Sequence, residues 1–266
     1  MRRTLGAAML AAALVMAGQP GAYAQDVGPV GYGGPDPEIL SGPVPRLPDG
    51  TVDLGDGVWT GGGSVGDIAP AIVKDQDNPN GELPLLPWAK ELREKRTIEE
   101  DPHNFCLPMG IPRTTPFPFR FIQNYTHKAP THMYILQEGS AHTYRQIFMD
   151  GRKHPEFVDP TWLGHSIGWY DGDTLVIDTV GFNDKAWPDR QGTPRTEQLH
   201  TVERWTRVDR GHMNLEVLME DPGAFSRPFK LKFEATMRAE DEIYEYICLE
   251  NNQFGVAGGH DNPFGQ

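Results

Sequence analysis

Apolar and polar residues alternate along most of the chain after Pro118, as expected for strands with one buried face. Between His212 and Glu220, every odd-numbered residue is apolar and most even-numbered residues are polar. This period of two predicts a mainly β protein. The predicted strands cover residues 119–124, 132–137, 144–149, 165–170, 174–180, 198–208, 212–220, 228–236 and 243–248.

Short connections rich in aspartate and glycine separate several of these strands. Asp150-Gly151, Asp171-Gly172-Asp173 and Asp209-Arg210-Gly211 have the composition of hairpin turns. One helix is predicted over residues 84–96, where prolines stand near the start and basic residues near the end. The order of elements predicts an antiparallel meander that closes into a lipocalin-like (calycin-like) β-barrel with one N-terminal helix.

Composition divides the chain into four segments. Residues 1–24 have the layout of a cleavable signal peptide, and residues 25–57 are dense in glycine and proline, which predicts a flexible arm. Residues 58–252 are expected to form the barrel domain. Residues 253–266 are expected to be a flexible C-terminal tail.

The signal segment combines a basic start with a short apolar run. Arg2 and Arg3 precede the uncharged run from Leu5 to about Ala17, and Ala22-Tyr23-Ala24 fits a small-x-small cleavage site. The run is too short to cross a membrane as a helix. We therefore expect a periplasmic or secreted protein that is mature from Gln25 and has no membrane insertion.

Charge and missing motifs narrow the possible partners. The net charge of −13 argues against nucleic acid or an anionic membrane as a partner. The sequence contains no Gly-rich dinucleotide fingerprint, phosphate loop or G-x-S-x-G elbow. The expected partner is a small-molecule substrate or ligand, no cofactor is expected, and the oligomeric state is left open.

The chain has two cysteines, Cys106 and Cys248, and both stand between apolar residues. In an oxidising compartment an isolated pair favours a disulfide over a metal or catalytic site. In the chain-entropy model a bridge over so long a loop contributes on the order of 5 kcal/mol to stability.

Ionisable residues are concentrated between Tyr144 and Arg204, among the predicted strands. His165 and His200 are candidate acid/base catalysts because imidazole titrates near neutral pH. Glu203 is the candidate that orients a histidine or acts as a base. We expect these three side chains to converge on a common cavity; the competing interpretation of His165 is a structural histidine bonded to a loop carbonyl.

Further polar and aromatic residues of the same region are candidates for substrate binding. Arg145 and Arg204 suit a substrate carboxylate, although with Glu203 they could instead form a structural ion network. A surface ion pair is the competing role of Arg152. The residues assigned to substrate binding are Arg145, Arg152, Trp162, Phe182, Asn183, Asp184 and Arg204.

Several segments of the chain resemble an uncharacterised family of secreted bacterial single-domain proteins. These segments are 144–152, 162–168, 172–179, 181–184 and 200–204, which contain the strings DGR, GHS, GFND and HTVER. The resemblance covers about residues 50–250, including both cysteines. It implies export and a single domain, and it implies no activity.

Three functional hypotheses follow. The first is an exported enzyme that acts on a small apolar or aromatic organic molecule by cofactor-independent acid/base chemistry, as a lyase, isomerase or hydrolase. The second is a non-catalytic lipocalin-like carrier or sensor. The third is a metal-dependent enzyme that uses histidines, although His142, His154, His165 and His200 include no close ligand pair and no metal site is assigned.

Overall fold

A computed structural model of the chain describes residues 40–126, 129–238 and 242–248. Nine strands of the described residues form one closed barrel. They are β1 (Val58–Gly61), β2 (Phe119–Tyr125), β3 (Pro130–Gln137), β4 (Tyr144–Phe148), β5 (His165–Asp171), β6 (Thr174–Val180), β7 (His200–Arg207), β8 (His212–Glu220) and β9 (Phe229–Arg238). The predicted mainly β barrel, consistent with a lipocalin-like arrangement, is therefore confirmed.

Most neighbouring strands pair antiparallel, but β4 and β5 pair in parallel. Only Ile147 with Ser166 and Phe148 with Ile167 are in register there. A parallel pair requires a crossover, and residues 149–164 provide it. The prediction of a hairpin at Asp150-Gly151 is therefore wrong, whereas the two-residue turn between β5 and β6 and the turn between β7 and β8 are confirmed.

The barrel is closed by β1, which the alternating pattern did not identify as a strand. Trp59 pairs with Met237 of β9 on one side and with Phe119 of β2 on the other. The prediction of a last strand over residues 243–248 is wrong, because no residue from 242 to 248 is in a strand. Strand β1 takes the position between β9 and β2 that such a strand would need.

The inner face of the barrel is packed with aromatic and aliphatic side chains. Phe119, Phe121 and Trp205 contact one another edge to face, with ring centroids 5.4–5.6 Å apart. In β7 the odd-numbered residues are buried and the even-numbered residues are partly exposed. The strand register therefore determines which polar residues enter the interior.

Residues 40–57, which composition assigns to a flexible arm, contact the barrel. Val52 and Leu54 are buried in the same apolar cluster as the barrel interior. Arg46 forms an ion pair with Asp173 in the β5–β6 turn, with nitrogen and oxygen 2.6 Å apart. The predicted signal peptide, residues 25–39 and the predicted C-terminal tail lie outside the described residues.

The predicted helix is present as α1 (Pro87–Lys95). Proline occupies its first turn, and Arg93 and Lys95 are in its last turn, where positive charge interacts favourably with the helix dipole. Only Ala89 is buried, so α1 packs on the outside of the domain. A second short helix, α2 (Gly139–His142), connects β3 to β4. No helix among the described residues has the length and apolar character required to cross a membrane.

The predicted disulfide between Cys106 and Cys248 is confirmed. Their Cα atoms are 5.5 Å apart, and 142 residues separate them along the chain. The bond attaches residues 242–248, which belong to no strand, to the loop before β2. It therefore restrains a segment that has no sheet hydrogen bonds.

Removing this disulfide is expected to lower the free energy of unfolding by about 2–5 kcal/mol, because the unfolded chain regains loop entropy. The variant is Cys106→Ser with Cys248→Ser, and denaturant unfolding is the measurement. Reduction of the native protein with dithiothreitol should give the same loss and leave the double variant unchanged. Equal stability of the double variant and the oxidised protein would contradict the prediction.

Candidate functional site

A buried ion pair lies inside the barrel between β4 and β7. Arg145 Nη1 donates to both carboxylate oxygens of Glu203, at 2.8 and 2.9 Å, and each side chain is only 1% exposed. Trp205 Nε1 donates to the same carboxylate at 3.1 Å. Arg145 Nη2 contacts the hydroxyl groups of Ser166 and Thr179 at 3.4 and 3.3 Å. Glu203 is therefore fully engaged by its neighbours.

A second polar group lies on the outer face of the barrel, where β5, β6, β7 and β8 run side by side. Asp178 pairs in register with Ile167 of β5 and Val202 of β7, so its outward side chain lies between those strands. His200 Nε2 is 2.9 Å from Asp178 Oδ1, and His154 Nε2 is 3.1 Å from the same oxygen. His154 Nδ1 in turn lies 2.8 Å from His165 Nδ1.

We call His165, His154, Asp178, His200 and Glu220 the outer-face relay. Glu220 ends it, with its carboxylate 3.4 Å from His200 Nδ1. The strand register brings Asp178, His200 and Glu220 together. These residues lie on the adjacent strands β6, β7 and β8, and His200 directly opposes Glu220. His154 comes from the crossover and reaches the group only because residues 149–164 fold over the outer face of β5 and β6.

One arrangement of protons along the relay leaves the Nε2 nitrogen of His165 free. When His154 is neutral and donates from Nε2 to Asp178, its Nδ1 can only accept, so His165 Nδ1 must carry a proton and donate. The other nitrogen of His165, Nε2, makes no hydrogen bond with any described residue. It then holds a lone pair and can accept a proton.

Electrostatic effects differ along the relay. Burial lowers the pKa of His165, and the positive charge of Arg152 acts in the same direction. The hydrogen bond to Asp178 raises the pKa of His200 against the opposing effect of burial. Burial acts to raise the pKa of Asp178, but the hydrogen bonds from His200 and His154, together with the charge of His200, outweigh it and lower that pKa. The group thus combines a neutral imidazole with a more basic one.

A groove of about 370 Å³ opens beside His165. It forms where β4 and β5 separate, because their parallel pairing includes only two residue pairs. Its wall and floor are formed by Tyr144, Arg145, Gln146, Phe148, Val158, Thr161, Leu163, Gly164, His165 and Ser166. The groove therefore brings apolar side chains and an imidazole to one place, while the guanidinium of Arg145 is turned into the barrel.

Gly164 allows the chain to turn into β5 and present His165 to this groove. Its φ of +70° lies in the left-handed region that favours glycine, and a Cβ there would lie 2.7 Å from the carbonyl oxygen of Val180. On the groove side, the ring of His165 stacks on Phe148 with centroids 5.1 Å apart. The imidazole is thus held by backbone geometry, by Phe148 and by His154.

The three predicted catalytic residues do not converge as expected. His165 and His200 belong to the same outer-face relay but are joined through His154 and Asp178. Glu203 points into the barrel, because adjacent residues of a strand alternate between faces and Glu203 is three positions from His200. The sequence places these residues close in the chain, but the sheet separates them.

The predicted substrate-binding residues are divided in the same way. Arg145 lines the groove, and Arg152 lies 4.0 Å above the ring of Phe148 while pairing with Asp150 at 2.6 Å. Arg204 lies on the exposed face, paired with Asp171 at 2.7 Å. Asp184 is exposed and does not line the groove. Arg152 and Arg204 therefore form surface ion pairs. For Arg152, this is the role that the sequence analysis named as the alternative to substrate binding.

Trp162, Phe182 and Asn183 surround a buried arginine rather than a pocket. Arg195 donates to the carbonyl oxygens of Asn183 and Trp162, each at 2.8 Å, and lies 5.0 Å from the ring of Phe182. Burial lowers the pKa of Arg195 to about 9. The loop that contains Phe182 and Asn183 thus packs around the interior side chain of Arg195.

Sequence reasoning missed three members of the relay as site residues, His154, Asp178 and Glu220. Asp178 was detectable as a lone carboxylate in the apolar strand β6. His154 follows Lys153 in a loop whose path only the parallel pairing of β4 and β5 determines.

No group of three or more His, Cys, Asp or Glu side chains within the described ranges is arranged to hold a metal ion. Comparisons of the chain with protein families, curated proteins and solved structures find no match.

Breaking the interior pair on one side should be costly. Glu203→Gln is expected to lower the free energy of unfolding by about 3–5 kcal/mol, because it leaves the Arg145 guanidinium buried without a counter-charge. Replacing both residues, as Arg145→Met with Glu203→Leu, should cost less than that. Denaturant unfolding measures both, and the matched control Arg204→Met, which breaks the exposed pair with Asp171, should cost less than about 1 kcal/mol. Comparable losses in Glu203→Gln and Arg204→Met would refute this assignment.

Removing the carboxylate at the centre of the relay should change the titration of His200. In Asp178→Asn the pKa of His200 is expected to fall, which NMR titration of the imidazole protons measures. Because the folded pKa of His200 is raised, its stabilising contribution is present below the ordinary histidine value and is lost as pH rises through the folded pKa. Asp178→Asn should therefore lose more stability in mildly acidic than in alkaline solution. An unchanged pKa of His200 would show that Asp178 does not hold it.

Proposed function

We propose that the protein is an exported enzyme that acts on a small, mainly apolar or aromatic organic molecule by cofactor-independent acid/base chemistry, with His165 as the base. The observation that carries this proposal is the fixed orientation of His165. Its Nδ1 is 2.8 Å from His154, which Asp178 anchors in turn, and its Nε2 has no partner in the described part of the chain. A nitrogen held in this way beside a groove is available to a substrate.

The groove supports a substrate of modest size and mixed character. Its volume of about 370 Å³ lies in the range of small-molecule sites. Phe148, Val158 and Leu163 provide an apolar wall, and Gln146 and Thr161 provide polar groups. These side chains suit an aromatic or branched apolar molecule with one or two polar substituents.

Proton abstraction by His165 is the first step of the proposed mechanism. Because burial lowers its pKa, His165 is neutral at neutral pH and accepts the substrate proton on Nε2. The positive charge that then forms on the imidazole is stabilised through its Nδ1 hydrogen bond to His154. Asp178 holds His154 and is a positioning residue, because it does not reach the groove.

Polar side chains in the groove support the accompanying negative charge. Gln146 and Thr161 both line the groove and can donate hydrogen bonds to a substrate oxygen. A hydrogen-bond donor held at an oxygen that gains charge stabilises the transition state. Isomerisation, elimination and hydrolysis all share this pairing of a base with a stabilised oxyanion.

A second candidate function, that of a non-catalytic small-ligand carrier, is favoured by another cavity. This cavity measures about 740 Å³ and lies where residues 53–56 and β2 border each other. Apolar side chains such as Leu47, Tyr125 and Ile243 line it, together with Gln123. Gln123 Nε2 is buried without a partner in the described ranges, so a ligand carbonyl there would satisfy it.

Solvent deuterium exchange tests the catalytic proposal without a known product. Wild-type protein in D₂O is expected to catalyse exchange of the acidic carbon-bound protons of small aryl ketones, because isomerisation and elimination both begin with transfer of a carbon-bound proton to His165. His165→Ala should lower the exchange rate by about 10²–10⁴-fold. The wild-type rate should rise with pH through a pKa below the ordinary histidine value and then remain constant, because only neutral His165 accepts a proton.

The matched control for this experiment is His212→Ala, which removes a histidine with a carboxylate partner far along the sheet from the groove residues. It should leave both exchange and melting temperature unchanged. Exchange by His165→Ala at the wild-type rate, in a protein that melts normally, would reject the role of His165. Saturable ligand binding in the 740 Å³ cavity without any exchange would favour the carrier instead.

A further inference from the structure

A third cavity, of about 640 Å³, lies beside the end of α1 and residues 190–191. Three arginines line it, Arg93, Arg96 and Arg190, together with one acidic residue, Glu94. The chain as a whole has a net charge of −13, so a cluster of positively charged guanidinium groups in one cavity differs from the overall charge of the protein. None of these residues belongs to the groove or to the outer-face relay.

Arg93 already has its counter-charges. Its Nη2 is 2.9 Å from Asp67 and 3.7 Å from the buried carboxylate of Asp189, and its Nε donates to Thr193 Oγ1 at 2.9 Å. This residue therefore forms a fixed, neutralised wall of the cavity. The positive character of the cavity comes from the other two arginines.

Arg96 has no carboxylate partner among the described residues. Its guanidinium lies 4.7 Å from the ring of Trp187, and Nη1 donates to the carbonyl oxygen of Gly192 at 2.8 Å. Burial lowers its pKa, and Glu100, Asp184 and Asp189 only act on it from beyond ion-pair distance. A partly desolvated charge without an adjacent counter-charge is energetically unfavourable.

Arg190 completes the pair. Its main-chain N–H donates to the carbonyl oxygens of Val65 and Gly66, at 3.0 and 2.9 Å, which fixes the backbone at this point. Its exposed side chain makes no hydrogen bond or ion pair with a described residue. Two guanidinium groups that lack carboxylates thus border one cavity, each offering the planar fork that binds oxyanions.

We infer that this cavity binds a small organic anion through a carboxylate, phosphate or sulfate group held by Arg96 and Arg190. The volume is that of a small-molecule site and far exceeds the space an inorganic ion needs. Ile98 lines the cavity and provides an apolar contact for the carbon part of the ligand. The negative charge of Glu94 repels an anion and therefore limits the affinity of the cavity for the ligand. This inference does not depend on the acid/base proposal.

Calorimetric titration of the full chain with citrate, at constant ionic strength maintained with chloride, tests the inference. Wild-type protein should bind one citrate saturably. Arg190→Gln should weaken binding by about 10–100-fold, the loss expected for a charged hydrogen bond. Glu94→Gln should tighten binding, because it removes a negative charge from the cavity. Lys90→Gln, which removes one positive charge from the exposed side of the same helix, should leave the affinity unchanged.

Three outcomes would overturn the inference. They are the absence of saturable citrate binding by the wild type, equal weakening in Lys90→Gln and Arg190→Gln, and a decrease of affinity in Glu94→Gln. Inorganic phosphate, titrated under the same conditions, should bind more weakly than citrate; tighter binding of phosphate would reject an organic ligand. Arg96→Gln is a supporting variant, and the test relies on Arg190 because that exposed side chain can be replaced without disturbing the fold.

Discussion

The parallel pairing of β4 with β5 is the constraint on which the candidate site depends. All other neighbouring strands pair antiparallel, and hairpins or short loops can join many of them. A parallel pair cannot be joined in that way, so residues 149–164 must form a crossover connection over the outer face of the barrel. The crossover brings His154 onto Asp178, and the short register of only two pairs leaves the groove open beside His165. One topological feature therefore produces both the contact that orients His165 and the groove beside it.

The barrel wall also separates two kinds of polar chemistry. The interior contains Arg145 and Glu203, which neutralise each other away from water and link β4 to β7. The exterior contains the relay of three histidines and two carboxylates, which remains close enough to water to exchange protons. The side chain of Arg145 belongs to the interior, whereas its strand neighbours Tyr144 and Gln146 face the groove.

Buried and partly buried arginines recur in this acidic chain, and their hydrogen-bonding groups are satisfied in different ways. Arg113 has a full counter-charge, with two hydrogen bonds to Asp101. Arg195 relies mainly on carbonyl oxygens and an aromatic ring, and burial consequently lowers its pKa. Arg96 has a ring and a single carbonyl oxygen. This order of decreasing satisfaction is the physical reason to look for a ligand at Arg96 and to regard Arg113 as structural.

The sequence by itself determined the fold class, most strand positions, helix α1 and the disulfide, because these depend on local periodicity, turn composition and cysteine count. It also identified His165 and His200 as residues of interest. It could not determine that Glu203 faces inward, since that depends on register. It missed β1, which is too short to show a period of two, and it placed a strand at residues 243–248 that the barrel does not use. Contacts between His154 and Asp178, 24 residues apart, were decided only by the tertiary structure, because a crossover path depends on long-range pairing and not on neighbouring residues.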